Sequence, residues 1–481
     1  MQLNPLITFY FYVTNVSMAD KQLLRNIPKV DEILKHEEWG KLTTIYPEGI
    51  AKDALRNYLD ELRTSIKENR IAAVPLLNEI VENTRKQVIA STSPGLKRVI
   101  NGTGVIIHTN LGRSLLAKSA IEAIINAATH YTNLEYDLQK GSRGDRYDHC
   151  TSILKKLTGA ESALVVNNNA GAVFLILNTL ADGKEAIISR GELVEIGGSF
   201  RVPDVIKKSG AILKEVGTTN RTYVGDYERA ISDPTGLLMK VHTSNYRIKG
   251  FVHETAAEEL ISLGKRHNLP TVYDAGSGLL FPIQGIGVHD EPCITVELKK
   301  GWDIISFSGD KLLGAPQAGL ILGEKSYIDA MKKNPITRAL RPDKFTLAAL
   351  ESTLLLYLDE ETARHEIPTL RMIYENQKAL KTRSQRIVKV LKHLSEKVTA
   401  ILVALFSEVG GGSLPDVSIP SYGVAITPHA ISVETLEERL RKLEIPVIGR
   451  IEKDRFLLDM RTILREEEHI LVSGIKTALQ E

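Results

Sequence analysis

The sequence predicts an α/β protein with a mainly parallel sheet, and three observations predict it. Beyond Val99, short β-branched apolar runs alternate with amphipathic stretches. The runs are apolar throughout, as in strands covered on both faces. Each ends in a cluster of Asn, Asp, Ser or Gly, and ligands of open parallel sheets bind at the carboxyl ends of strands. In order, ALVVNN, EAIISR, GLLMKVHTSN, PTVYDAG and WDIISFSG are expected strands, and AGAVFLILNTLA, DVIKKSG and ETAAEELISLGKRHN the intervening helices. The loops NNNAG, HTSN, DAGSG and SGDK are therefore expected to build the site.

Flanking this unit are two others. From Ala19 to Thr92 leucines recur at helical spacing, as in AKDALRNYLDELRTSIKEN, with 12 basic and 12 acidic residues between Met18 and Pro94. STSPG at 91–95 reads as a linker. Helical patterns from Thr346 onward, and again from Asn376 to Val398, precede a smaller α+β unit containing AILVALFSEVGGGSLP, YGVAITP, VETLEERLRKLEI and PVIGRIEKDRFLLDMRTI. The expected division is 1–17 as an extension ahead of Met18, 18–92 as a helical N-terminal domain, 93–375 as the large domain and 376–481 as the small C-terminal α+β domain.

Composition narrows the function classes. The chain has 481 residues, 61 Lys plus Arg against 59 Asp plus Glu, and a net charge of +2, so no bulk electrostatic argument for a polyanion exists. Cys150 and Cys293 belong to no CxxC or Cys/His spacing, which argues against a disulfide framework or a zinc site and for a reducing cytoplasm. The apolar first residues carry no Lys or Arg before Lys21 and no cleavage site, unlike a signal peptide. No apolar run reaches the ~20 residues of a membrane span. A soluble, cytoplasmic protein with no membrane partner is expected.

The chemistry centres on 302-WDIISFSGDKLLGAPQAG-319, which presents one lysine, Lys311, after an apolar run. A surface lysine is the ordinary reading of any single lysine. Here Ser308, Gly309, Gly314, Ala315 and Gly319 are expected to leave room for a flat ligand, and a desolvated lysine amine forms a Schiff base with an aldehyde. Pyridoxal 5'-phosphate is such an aldehyde. Its pyridine nitrogen needs an acid, and Asp274 ends the apolar run TVYD; alone, that residue reads equally well as a helix cap. Its phosphate needs N–H groups at a helix start, which 167-NNNAG-171 supplies through Asn169, Ala170 and Gly171. Ser308 is placed to add a hydroxyl, and Asn245 to meet the ring hydroxyl. The order of phosphate loop, ring aspartate and lysine, each after a buried strand, specifies far more than any one of them.

At these residues the sequence resembles the bacterial selenocysteine synthases, the L-seryl-tRNA(Sec) selenium transferases. The matching segments include INGTGVIIHTNLGRS at 100–114, NLEYDLQKGSRGDRYDH at 133–149, VVNNNAGAV at 165–173, EVGTTNRT at 215–222, KVHTSNYRIKGF at 240–251, YDAGSG at 273–278, SFSGDKLLGAPQAG at 306–319, RALRPDK at 338–344 and PVIGRI at 446–451. Ala315 and Gly171 depart from the family's more frequent Gly and Ala, and both keep the position small. The resemblance implies an aspartate-aminotransferase-like fold, pyridoxal-phosphate fold type I. It also implies a reaction: β-elimination of the seryl hydroxyl to give aminoacrylyl-tRNA, then addition of selenium from selenophosphate. Lys311 would carry the cofactor and shuttle the proton, with Asp310 beside it as a second catalytic group; as a bland alternative, Asp310 pairs with a neighbouring base.

Selenophosphate is a small anion, and Arg113, Arg338 and Arg341 correspond to the family's anion-binding arginines, although an exposed arginine is more often only solvated. Arg143 and Arg146, in GSRGDRY, are further candidates for the acceptor end of tRNA or for a neighbouring subunit's site. Arg450 and Arg461 are left out, because an esterified serine offers no free carboxylate. The resemblance further implies an N-terminal domain that grips tRNA and a homo-oligomer, a decamer made of dimers; Lys21, Arg25, Lys29 and Lys35 are basic residues that one surface of that domain could gather, and its neutral charge is equally compatible with packing or oligomerisation. Two alternatives share parts of this pattern: a pyridoxal-dependent ammonia-lyase or β-eliminase acting on a phosphorylated amino sugar acid, and a non-catalytic tRNA-binding scaffold.

Overall fold

The structure, a computed structural model, describes residues 18–196, 200–283, 291–394 and 396–480. The extension expected at 1–17 lies outside the described residues. The chain divides into two compact units, with the boundary between Lys97 and Arg98.

The first unit is helical: α1 (Met18–Arg25), α2 (Val30–Leu34), α3 (Glu37–Ile45), α4 (Glu48–Lys67) and α5 (Leu77–Thr92). The leucine spacing places Leu55, Leu59, Leu62 and Ile66 of α4 on one buried face with Ile33, Trp39, Ile80 and Val88. The opposite faces carry ion pairs one turn apart, including Lys52–Glu48, Arg63–Asp60 and Arg85–Glu82. Lys21, Arg25, Lys29 and Lys35 are exposed.

The second unit holds a seven-stranded sheet. Its strands are β1 (Ser162–Val166), β2 (Glu185–Ser189), β3 (Ile212–Val216), β4 (Thr235–Val241), β5 (Thr271–Gly276), β6 (Ile304–Ser308) and β7 (Gly319–Gly323). The spatial order is β1-β7-β6-β5-β4-β2-β3. All neighbours pair in parallel except β7, which is antiparallel to both β6 and β1. The connection from Ser308 to Gly319 is too short for the crossover that a parallel partner requires, so the chain turns back on itself. Two apolar cores cover the sheet. One contains Leu154, Leu260, Phe307 and Leu350, and the other Leu175, Ile188, Met239 and Ile328. Each fully buried side chain of this size contributes about 1.5–3 kcal/mol, which is what holds the polar strand ends in place.

A four-stranded antiparallel sheet follows: β8 (Val398–Gly410), β9 (Ser413–Pro428), β10 (Arg450–Glu452) and β11 (Arg455–Asp459), in the order β8-β9-β11-β10. Helices Gln377–Leu391, Val433–Arg441 and Glu468–Ala478 close its core through Leu380, Ile387, Leu436 and Leu471. The segment entering this unit runs beside the small sheet. Ile100 pairs with Val447, and the N–H groups of Ile106 and Ile107 donate to Glu408 and Val409. That contact fixes the β8–β9 turn, Gly410–Gly412, where all three glycines have positive φ. No helix among the described residues is long and apolar enough to cross a membrane.

Candidate active site

One pocket at the carboxyl ends of the parallel strands collects most of the residues singled out above. It is lined by Arg113, Asn169, Ala170, Asn245, Asp274, Ser308, Asp310 and Lys311.

Lys311 follows β6 in a loop whose backbone is almost fully engaged. Gly309 N–H donates to Ala318 at 2.8 Å, Leu312 N–H to Ser277 at 3.0 Å and Gly314 N–H to Lys311 at 3.0 Å. Leu312 and Leu313 are buried beneath it, and Tyr357 Oη donates to the Leu313 carbonyl at 2.8 Å. The amine is thus presented on a rigid arc. Burial holds its pKa below the ordinary lysine range; Asp274 opposes that shift and Arg113 adds to it. Gly309 and Gly319 serve a different purpose from the expected ligand clearance. A Cβ at Gly319 would stand 2.2 Å from the Asn168 carbonyl oxygen, and one at Gly309 would stand 2.5 Å from that of Pro316. These glycines let backbones approach one another.

Asp274 lies near the end of β5, in register with Ser306 of β6. Its Oδ1 accepts from Asn169 Nδ2 at 2.9 Å, from Gly276 N–H at 3.3 Å and from Ser306 Oγ at 3.3 Å. Among the described residues no donor reaches Oδ2. Burial pushes this carboxyl's pKa up, while Asn169 and Lys311 pull it back.

The third component is the start of α8, where α6 (Lys118–Thr129), α7 (Asp148–Thr158) and α8 (Asn169–Ala181) continue the helix numbering. Asn168 caps α8 by accepting the Gly171 N–H at 2.8 Å. That bond uses up Gly171's own donor, and Gly171 does not line the pocket. A Cβ there would instead meet Leu340 at 3.0 Å. The N–H groups of Asn169 and Ala170 precede the first intrahelical bond and face the pocket end of the helix dipole. Asn245 lines the pocket, but its amide donates to the Glu195 carbonyl at 2.7 Å.

Asp310 is paired: Arg113 Nη1 lies 2.9 Å from its Oδ2. Arg113 has φ 63° directly after Gly112 at φ 93°, a left-handed conformation a non-glycine residue rarely adopts. Arg113 N–H donates to His108 at 3.1 Å, and Ser114 Oγ reaches the Asp310 and Lys311 carbonyls at 2.8 and 2.7 Å. These bonds hold the guanidinium over the aspartate.

Sequence reasoning singled out neither His242, which lines the pocket, nor Glu291, which stands beside His242. His242 follows β4 and stands 3.6 Å from Oε2 of Glu291, whose side chain is wholly buried. The same Oε2 accepts the Leu414 N–H at 3.3 Å, tying the β8–β9 turn to the pocket wall that Gly411 and Gly412 line. The signal available for His242 was its position at a strand end in KVHTSN; Glu291 had none.

The other arginines lie elsewhere. Arg338 and Arg341 are exposed and do not line the pocket, although their segment packs behind the phosphate-loop candidate: Asn167 N–H donates to Leu340 at 2.8 Å. Arg146 forms an ion pair with Glu135 and donates to the Pro342 carbonyl at 3.0 Å. Arg143, largely exposed, reaches Glu135 at 3.5 Å. Arg461 is buried and spent on the carbonyls of Met372 and Pro420 at 2.6 and 2.7 Å, which accounts structurally for a residue that offered no catalytic role.

A ligand fits this wall. Asn169 Oδ1, His242 Nε2 and Ser244 Oγ are buried there without hydrogen-bond partners among the described residues. Asp274, the Lys311 amine and the start of α8 offer a carboxylate acceptor, an amine and free backbone N–H groups, the three kinds of group that pyridoxal phosphate requires.

A solved D-glucosaminate-6-phosphate ammonia-lyase superposes with a TM-score of 0.55 at 19% identity, covering 80% of this chain and 96% of that one, which shows a shared fold. The architecture is the aspartate-aminotransferase-like one, fold type I. An L-seryl-tRNA(Sec) selenium transferase of Clostridium botulinum (strain 657 / Type Ba4) is 49% identical over 463 residues, 96% of this chain and 100% of that protein. One from Maridesulfovibrio salexigens is 49% identical over 462 residues, 95% of this chain and 99% of its own length. The family description "Selenocysteine synthase N terminal" matches residues 24–63. The description "L-seryl-tRNA selenium transferase" matches residues 99–464, which include every pocket residue named above, and the chain belongs to that family.

Proposed function

We propose that this chain is an L-seryl-tRNA(Sec) selenium transferase whose chemistry is carried out by Lys311, Asp310 and Asp274. The observation that carries the reading is their convergence in one pocket of a chain 49% identical to such transferases over their full length. The cofactor is pyridoxal 5'-phosphate, which when bound supplies the electron sink for a carbanion at the serine Cα.

The chain's own residues do the rest. Lys311 Nζ, its pKa lowered by burial, holds the cofactor covalently and then takes and returns the Cα proton. Asp274 accepts the ring N–H at Oδ2 while Asn169, Gly276 and Ser306 fix its other oxygen. Asn169 and Ala170 offer backbone N–H groups to the phosphate, with the Ser308 hydroxyl on the same wall. Asp310, paired with Arg113, would relay a solvent proton to the β-oxygen as the C–O bond breaks, so that the hydroxyl leaves as water. Arg113, held over Asp310, offers a guanidinium fork to selenophosphate.

Arg338 and Arg341, exposed in the single chain, are assigned to the same anion site as completed by a neighbouring subunit of a homo-oligomer, a decamer of dimers. Arg143 and Arg146 are assigned to the acceptor end of tRNA, the N-terminal helical unit to its body, and the cytoplasm is the proposed location. Replacing Arg338 or Arg341 by Met is expected to spare the visible cofactor band and to lower selenium transfer on the order of 10²-fold, the size of one lost transition-state charge contact. Unchanged selenation of seryl-tRNA would remove both from the donor site.

The test of the reading itself is the visible spectrum of the purified protein before and after seryl-tRNA(Sec) is added. A band that shifts supports it. A band unmoved by seryl-tRNA(Sec) but shifted by D-glucosaminate 6-phosphate would overturn it in favour of the lyase reading.

A further inference from the structure

The helix Gln377–Leu391, QKALKTRSQRIVKVL, contains no acidic residue and no acid in its first turn. Its inner face is fixed by buried Leu380, Arg383, Ser384, Ile387 and Leu391. Arg383 donates to the Met460 carbonyl at 3.0 Å and pairs with Glu468 at 2.6 Å. On the opposite face Lys378, Lys381, Lys389 and, just past the helix end, Lys392 are all exposed. At 3.6 residues per turn these four fall within about 80° of arc and span about 20 Å.

Three features separate this stripe from an ordinary solvated face. Exposed cations on other helices include several matched by acids one turn away, as in Lys41–Glu37, Arg63–Asp60 and Arg441–Glu437. Among the described residues, none of the four lysines makes an ion pair; Lys381 only leans over the Tyr422 ring at 5.5 Å. Lys378 also sits in the first helical turn, where a cation opposes the helix dipole, so local stability does not explain it.

We propose that this stripe is a second RNA-contacting surface, carrying phosphates of the tRNA body at a site separate from the pocket. The inference rests on the tRNA substrate assigned above. A row of compact ammonium charges about 20 Å long matches several consecutive phosphates and reads no bases. Between the lysines lie Thr382 and Gln385, and the helix exposes no large apolar side chain of the kind a membrane-inserting helix needs.

The experiment compares the full-length holoprotein with a K378Q/K381Q/K389Q/K392Q variant in binding tRNA(Sec) transcript across a salt series. The variant is expected to keep its visible cofactor band and melting temperature, to bind at least about tenfold more weakly near 0.1 M salt, and to show a log K against log salt slope shallower by about 3. Lysine-to-arginine replacement at the same four positions is expected to restore both. Equal affinity and slope in the wild type and the glutamine variant would overturn the surface alone. A wild type that binds no tRNA would overturn the substrate reading with it. Loss of binding to anionic phosphatidylserine vesicles with tRNA binding intact would assign the stripe to a membrane instead.

Discussion

Lys311→Ala is expected to lose the visible band of covalently held cofactor and to lower turnover on seryl-tRNA(Sec) by about 10²–10⁴-fold from proton transfer alone, with loss of covalent anchoring added to that. The fold should survive. The loop is held by main-chain bonds from Gly309, Leu312 and Gly314 and by the Ser114 hydroxyl, none of which uses the Lys311 amine. Burial disfavours the ammonium form, so the folded-state pKa lies below that of the unfolded chain. The sign follows: the stability this group contributes is present above the unfolded lysine value and is lost as pH falls through the folded one. The cofactor-free wild type should therefore gain stability on Lys311→Ala most clearly at lower pH, while losing all reaction with the aldehyde. The rate at which added pyridoxal phosphate develops a visible band should rise with pH and level off below the ordinary lysine range of about 10.4. A variant that retains the band and turns over seryl-tRNA(Sec) would remove Lys311 from the chemistry.

How much of this was legible in the sequence depends on what each element had to bury. Strands β1, β2, β4, β5 and β6 are apolar on both faces, and a continuous apolar run ending in Asn, Asp or Ser marks them directly. The strand β3, ILKEV, is an edge strand with half-exposed residues and carries no such mark. GLILG of β7 is short enough to read as the tail of the lysine loop, although it is the strand that closes the sheet between β1 and β6. The β8–β9 hairpin was fragmented in the reading because Pro415 and Pro420 lie inside β9, where Pro ordinarily signals a loop. Lys311, Asp274 and NNNAG were legible because each ends a buried strand and each chemistry demands a particular residue type. His242 and Glu291 were not, since a pairing across 49 positions (291 minus 242) leaves no local pattern. The glycines around Lys311 show the converse error: their presence was legible, but only coordinates reveal that Asn168 and Pro316 backbones, and no ligand, fill the missing Cβ positions.

Asp274→Asn separates structural from chemical work at the other end of the pocket. Asparagine retains the Oδ1 acceptor that Asn169, Gly276 and Ser306 share, so no buried donor is orphaned. It replaces Oδ2 by an NH₂ donor, which cannot accept a ring N–H. Cofactor loading on Lys311 should persist with a shifted absorbance maximum, and turnover should fall on the order of 10²–10⁴-fold, in kcat more than in KM, because the loss is felt when charge develops at Cα. Stability should move the other way. Burial raises the folded-state pKa of Asp274, so its stabilising contribution is present below the unfolded carboxyl value and is lost as pH rises through the folded one. Above both values the ionised carboxylate is a net cost to the cofactor-free protein, and Asn should melt there at the same or a higher temperature. Asp274→Ala is the contrasting variant: it strands the Asn169 amide and the Ser306 hydroxyl and should cost about 1–3 kcal/mol in urea unfolding. Turnover of Asp274→Asn within about threefold of wild type would show that Asp274 only ties β5 to β6 and α8, and that the acid for the ring nitrogen must be sought among the other carboxylates near this pocket, of which Asp310 lines it and Glu291 stands beside His242.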